Sequence, residues 1–122
     1  SLVLIVEDNE KNLKLVRDVL QYKGYETIEA VTGEDGVALA RERKPNLILM
    51  DIQLPGINGI EALKALRTDP ATAHIPVVAV TASVMQQDRN QITEAGFDAY
   101  LSKPLDLREF LATVKKVLET PR

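Results

Sequence analysis

The chain of 122 residues has no cysteine, which excludes a disulfide framework, a thiolate metal site and a cysteine nucleophile. A single histidine excludes a site built from several imidazoles. Aromatic residues make up only 4% and tryptophan is absent, so the core must be aliphatic. No apolar run approaches the roughly 18–20 residues of a membrane-spanning helix, and no charged-then-apolar leader opens the chain. The cytoplasm is therefore the expected compartment. Cationic residues do not gather into a stripe, and 15 of them face 18 carboxylates for a net charge of -3. No nucleic-acid footprint is expected from such a balance.

What remains is an ordinary globular composition, 45% hydrophobic and 27% charged, at a length that fits one domain over residues 1–122 with a real core. The chain opens at Ser1 without Met, already inside a strand pattern, which leaves open whether it is a domain cut from something longer.

Leu47-Ile48-Leu49-Met50 is fully apolar, lies between Pro45-Asn46 and Pro55-Gly56, and stops at Asp51. Such a run suits a strand buried on both faces of a parallel sheet, with Asp51 at its carboxyl end. Leu2 to Val6 repeats the pattern and ends at Glu7-Asp8-Asn9; Val77 to Val80 repeats it again and ends at Thr81. Tyr25 to Ala30 and Asp98 to Leu101 mix polar and apolar positions, as edge strands do. Between them lie helix patterns. One runs from Glu10 to Lys23 and closes at Gly24; another is capped by Thr32 and runs to about Arg43. Asn58 and Glu61 form a capping box for a third, halted by Asp69-Pro70. Ser83 with Gln86 opens a fourth, polar throughout Gln86 to Gln91 and so expected to dock weakly. Asp106 and Glu109 cap the last, with Phe110, Leu111, Val114, Val117 and Leu118 inward.

Five strands alternating with five helices predict a flavodoxin-like α/β sandwich, a five-stranded parallel sheet of order 2-1-3-4-5 between helix layers. That order brings Glu7, Asp8 and Asp51 to one edge, with Thr81 and Lys103 beside them. Like charges about 4 Å apart would cost about 4 kcal/mol per pair at a surface-like dielectric, so a cation belongs there. Mg²⁺, which takes carboxylate, carbonyl and water oxygens, is the natural one, with Mn²⁺ an alternative. An Asp carboxylate can attack phosphorus to form an aspartyl phosphate, and Asp51 is the best-placed attacker. Lys103, the Thr81 hydroxyl and the N–H groups after Asp51 would hold the phosphoryl oxygens. Each residue also has a bland reading: a turn for Asp51, a helix cap for Glu7-Asp8-Asn9, a strand-end turn for Thr81, a solvated Lys103 and a half-buried edge position for Tyr100.

Glu7-Asp8, Asp51 with Pro55 and Gly59, Thr81-Ala82 and Lys103-Pro104 together resemble the receiver domain of two-component response regulators, CheY-like in fold, over the whole chain. The stretches Leu4 to Asn9 and His74 to Ala82 look most like the DivK-type group of stand-alone receivers. The resemblance implies that Asp51 accepts a phosphoryl group from the histidine of a kinase or phosphotransfer protein. It implies Mg²⁺ on Asp8, Asp51 and the Gln53 backbone carbonyl, with Glu7 acting mostly through water. Thr81 and Tyr100 would be the switch pair, Ala82 and Lys103 would line the phosphate, and the bond to Pro104 would be cis. It further implies a signalling domain rather than a dedicated enzyme, catalysing only its own phosphoryl transfer and slow autodephosphorylation. Output would come through a downstream protein target, recognised by the polar helix, the fifth strand and the last helix of a monomer or weak dimer.

On the first helix Leu15, Val16 and Val19 form one compact stripe, leaving Leu13 on its rim as an exposed docking residue for the phosphodonor. His74 is read as an exposed loop residue. Three other readings compete. A phosphatase of the haloacid-dehalogenase type would want a second Asp where Gln53 stands. An FMN binder would have its phosphate repelled by Glu7-Asp8. A non-phosphorylated interaction module would not need the intact acidic set.

Overall fold

A computed structural model describes residues 1–82, 90, 92 and 94–120. Five parallel strands, β1 (Leu2–Val6), β2 (Glu26–Ala30), β3 (Leu47–Asp51), β4 (Val77–Thr81) and β5 (Ala99–Ser102), form one sheet of order β2-β1-β3-β4-β5. Helices α1 (Glu10–Tyr22), α2 (Gly33–Arg43), α3 (Gly59–Thr68) and α4 (Leu107–Glu119) cover it. Residues 90, 92, 94 and 95 are also helical. The expected cap at Ser83 and Gln86 and most of the polar stretch after it lie outside the described residues.

The apolar runs are explained by burial on both faces. Along β1, Val3 and Ile5 face a cluster with Leu13, Val16 and Leu20 of α1 and Phe110 and Val114 of α4. Leu4 and Val6 face the opposite cluster, with Val37 and Ala40 of α2 and Ala62, Leu63 and Leu66 of α3. Strand β3 divides the same way: Leu47 and Leu49 on one side, Ile48 and Met50 on the other. Each fully buried aliphatic side chain contributes about 1.5–3 kcal/mol by leaving water, so the central strands are the most firmly anchored part of the molecule.

The helix ends follow the local chemistry. Asn9 caps α1 by accepting from the N–H groups of Lys11 and Asn12, and beyond the C-cap Gly24 takes a φ of 90° that favours glycine. Thr32 accepts from the Asp35 N–H, and Asn58 with Glu61 makes the reciprocal capping box of α3. That helix ends where Asp69, before Pro70, is extended, as a residue preceding proline must be. In α4, capped by Asp106, Phe110 and Val114 are buried, whereas Leu111, Val117 and Leu118 are only partly so. Tyr25 and Asp98 fall outside their strands.

One expectation is corrected. Leu13 is 8% exposed and belongs to the core, while Leu15 is 41% exposed. Both stripes were compatible with helical spacing. Leu20, wholly buried, decides the phase: 13, 16 and 20 share a face, and Leu15 lies about 200° around the helix from Leu13. The expected docking role of Leu13 falls with its exposure.

Candidate functional site

The parallel register brings the strand ends together. Val6 pairs with Ala30 on one side and Met50 on the other, Asp51 with Val80, and Thr81 with Ser102. Glu7, Asp51, Thr81 and Lys103 therefore stand at or one step beyond adjacent strand ends. The backbone carries this geometry onward: the Glu7 N–H donates to the Ala30 carbonyl at 3.0 Å, that of Ile52 to Val80 at 3.0 Å, and that of Lys103 to Thr81 at 2.8 Å.

Glu7, Asp8 and Asp51 each present a carboxylate oxygen within 4.8 Å of the others. Glu7 and Asp51 are buried and Asp8 is exposed, so the group opens to solvent at Asp8. The Lys103 ammonium bridges the two buried carboxylates, 2.9 Å from Glu7 Oε1 and 3.0 Å from Asp51 Oδ2. The second oxygen of Asp51 accepts the Gln53 N–H at 2.9 Å, and Glu7 Oε2 accepts that of Asn9 at 3.2 Å. These contacts orient Asp51 from both sides.

The electrostatics reflect the crowding. Burial, and then the hydrogen-bonding neighbourhood of Asp51, push the Glu7 carboxyl above its ordinary range, while Lys103 pulls the other way. Lys103 loses water on burial, which works against its charge, but its contacts with Glu7 and Asp51 outweigh that and raise its pKa. One ammonium thus offsets part of the negative charge of three carboxylates. The hard oxygen donors, two of them stripped of water, fit a divalent cation such as Mg²⁺.

Gly59 makes the loop after Asp51 compact. A Cβ there would lie 2.6 Å from the Asp51 carbonyl oxygen and 2.9 Å from Ile52 Cα, distances a carbon cannot hold. Its N–H donates to the Ile52 carbonyl at 3.0 Å, so the start of α3 closes directly onto the residue after Asp51.

The other expected site residues lie along the same edge. Thr81 is buried at the end of β4 and Ala82 exposed beyond it. Tyr100, on β5, is 39% exposed. The Lys103–Pro104 peptide is cis. His74 is exposed. Two features were not foreseen. Asn9 joins the cap of α1 to the Glu7 carboxylate, so the helix-cap and site readings of Glu7-Asp8-Asn9 coexist. Phe110 and Leu105 line, with Glu7 and Asp51, a cavity of about 20 Å³ beneath the carboxylates; their apolar character gave no hint of that position.

No helix among the described residues is long and apolar enough to cross a membrane. The family profile of the response regulator receiver domain matches residues 3–115. Proteins named polar-differentiation response regulator DivK, from Brucella anthropi and Brucella ovis, are each 50% identical over 116 residues, covering 95% of this chain and 94% of theirs. Among solved structures, the receiver domain of the sensor histidine kinase PA1611 from Pseudomonas aeruginosa, with a magnesium ion coordinated in its active-site cleft, superposes with a TM-score of 0.91. It is 29% identical over 98% of both chains. A CheY-like receiver domain protein from Methanospirillum hungatei gives 0.87 at 32% identity, over 98% of this chain and 94% of that one. With the acidic edge, the strand order and these likenesses in agreement, the chain belongs to the response regulator receiver domain family.

Proposed function

We propose that Asp51 is the phosphoacceptor of this receiver and that residues 1–122 act as one such domain, a phosphoacceptor switch in two-component signalling. The observation that carries this is the placement of the Asp51 carboxylate: 4% exposed at the end of β3, held by Lys103 and by the Gln53 N–H, with Glu7 and Asp8 beside it. A carboxylate fixed on both oxygens loses little freedom on reaching an attacking geometry, which is where positioning contributes most to such a transfer.

An Asp51 oxygen would attack the phosphorus of a phosphohistidine on a kinase or phosphotransfer protein as the P–N bond breaks. The bonding pair leaves with the imidazole. Asp8, Asp51 and the Gln53 carbonyl would hold Mg²⁺, with Glu7 acting through water. Bound there, the metal supplies positive charge against the carboxylates and the phosphoryl oxygens. Lys103 would exchange a carboxylate contact for a phosphoryl oxygen, and the Thr81 hydroxyl would take another. Tyr100, now outward, would turn inward as Thr81 moves. The same machinery would hydrolyse the acyl phosphate slowly. Downstream proteins, not DNA, would read the state in the cytoplasm, the polar helix after Thr81 shifting with β5 and α4 in a monomer or weak dimer. The relatives' name offers polar differentiation as the setting.

Incubation with Mg²⁺ and acetyl phosphate, followed by intact mass, tests the assignment. The wild type should gain one phosphoryl group and Asp51→Asn none. An adduct that survives Asp51→Asn would overturn it.

A further inference from the structure

The loop after Asp51, residues 52–58, is pinned at both ends, by the Gln53 N–H on Asp51 and the Gly59 N–H on Ile52. Its middle is anchored in the core by Leu54, 9% exposed, and it presses against the first turn of α2. A Cβ on Gly33 would lie 2.7 Å from Ile57 Cγ1 and 2.9 Å from the Ile57 carbonyl oxygen. A Cβ on Gly56 would lie 2.6 Å and 2.8 Å from the two carboxylate oxygens of Glu34. Gly56 also has a φ of 74°, a conformation that favours glycine. Gly33 thus lets Ile57 pack against the start of α2, and Gly56 clears the space that the Glu34 carboxylate occupies; Glu34 Oε1 accepts the Ile57 N–H at 3.4 Å, long for such a bond. Glu34 has no ion pair among the described residues.

The bland account is that an acidic residue in a first helical turn simply complements the helix dipole. That account needs no acceptor aimed at another segment and leaves the close approach at Gly33 and Gly56 unexplained. We propose that Glu34 is a positioning residue for the phosphoryl site: by holding Gly56–Ile57 it fixes the loop whose Gln53 carbonyl is assigned to the metal. The proposal rests on the reading of Asp51 given above.

Two variants separate the accounts. Glu34→Gln removes the charge but keeps an acceptor oxygen of similar reach, whereas Glu34→Leu keeps much of the bulk and removes the acceptor. Amide exchange at Ile57 in the metal-free protein and the Mg²⁺ concentration that half-saturates phosphorylation by acetyl phosphate are read in both, with far-UV circular dichroism to confirm folding. Glu34→Leu should speed exchange at Ile57 and raise half-saturating Mg²⁺ about tenfold, the low end of the loss for outer-shell partners of a metal site. Glu34→Gln should stay close to wild type in both. Equal shifts in the two variants would reduce Glu34 to a helix-end charge, and no shift in either would remove the clasp. If the wild type accepts no phosphoryl group, the reading of Asp51 fails; exchange at Ile57 still decides whether Glu34 holds the loop.

Discussion

At the scale of single residues, Lys103 decides the charge state of the site. Its ammonium touches both buried carboxylates, so Lys103→Met would leave Glu7 and Asp51 facing each other with no fixed cation between them. A pKa raised in the folded chain means a stabilising contribution that is complete below the unfolded value and lost as pH rises through the folded one. Stability of the wild type should therefore fall along an alkaline limb that Lys103→Met lacks. Urea denaturation of the two proteins from neutral to strongly alkaline pH measures this difference; parallel curves would rule out the bridge as a stabilising contact. Glu7 behaves in the opposite sense. Its raised pKa means that ionising Glu7 works against the stability of the folded chain, a cost that a cation bound beside it would offset.

At the scale of elements, α1 shows how a periodic pattern can be right in kind and wrong in phase. Leu13→Ala should cost about 2–3 kcal/mol by opening a cavity in the core, and Leu15→Ala no more than about 0.5 kcal/mol. Chemical denaturation of both variants checks it, and the reverse ranking would restore the other stripe. The connection between α2 and the end of α3 carries a second expectation. Asp69 accepts the Ala71 N–H and pairs with Arg41 at 2.7 Å, and the first of these chiefly lowers its pKa. A lowered carboxylate pKa stabilises above the unfolded value and ceases to do so as pH falls through the folded one. Asp69→Asn should thus be less stable than wild type at neutral pH, and the two acid-denaturation curves should converge at the acidic end.

At the scale of the whole molecule, binding of Mg²⁺ to the folded chain alone should raise its stability by mass action, by about 2.7 kcal/mol at a hundredfold excess over the dissociation constant. Chelation should abolish the gain. Acidification should shrink it, because a proton on the raised Glu7 carboxyl competes with the metal. Thermal melts with and without Mg²⁺ at neutral and mildly acidic pH provide the measurement.

The strand order and acidic edge were legible because Leu47–Met50 and its two counterparts are apolar without interruption, a pattern that only strands buried on both faces need. Asp51, Glu7, Thr81 and Lys103 were legible because each stands where such a run or its edge neighbour stops. Leu13 was misplaced because two stripes on α1 satisfied the same spacing and only contact with α4 and the sheet separates them. Glu34 could not be singled out, since its role depends on two glycines, one 22 residues away along the chain, and distant contacts leave no local pattern.

Among the described residues, the sheet divides the apolar interior into two clusters that share no buried side chain. Val114 lies in one and Leu63 in the other, so the costs of Val114→Ala and Leu63→Ala should add. One helix layer could then be redesigned, or drift under selection for a new partner, while the other keeps its own packing and the carboxylates at the strand ends stay in register.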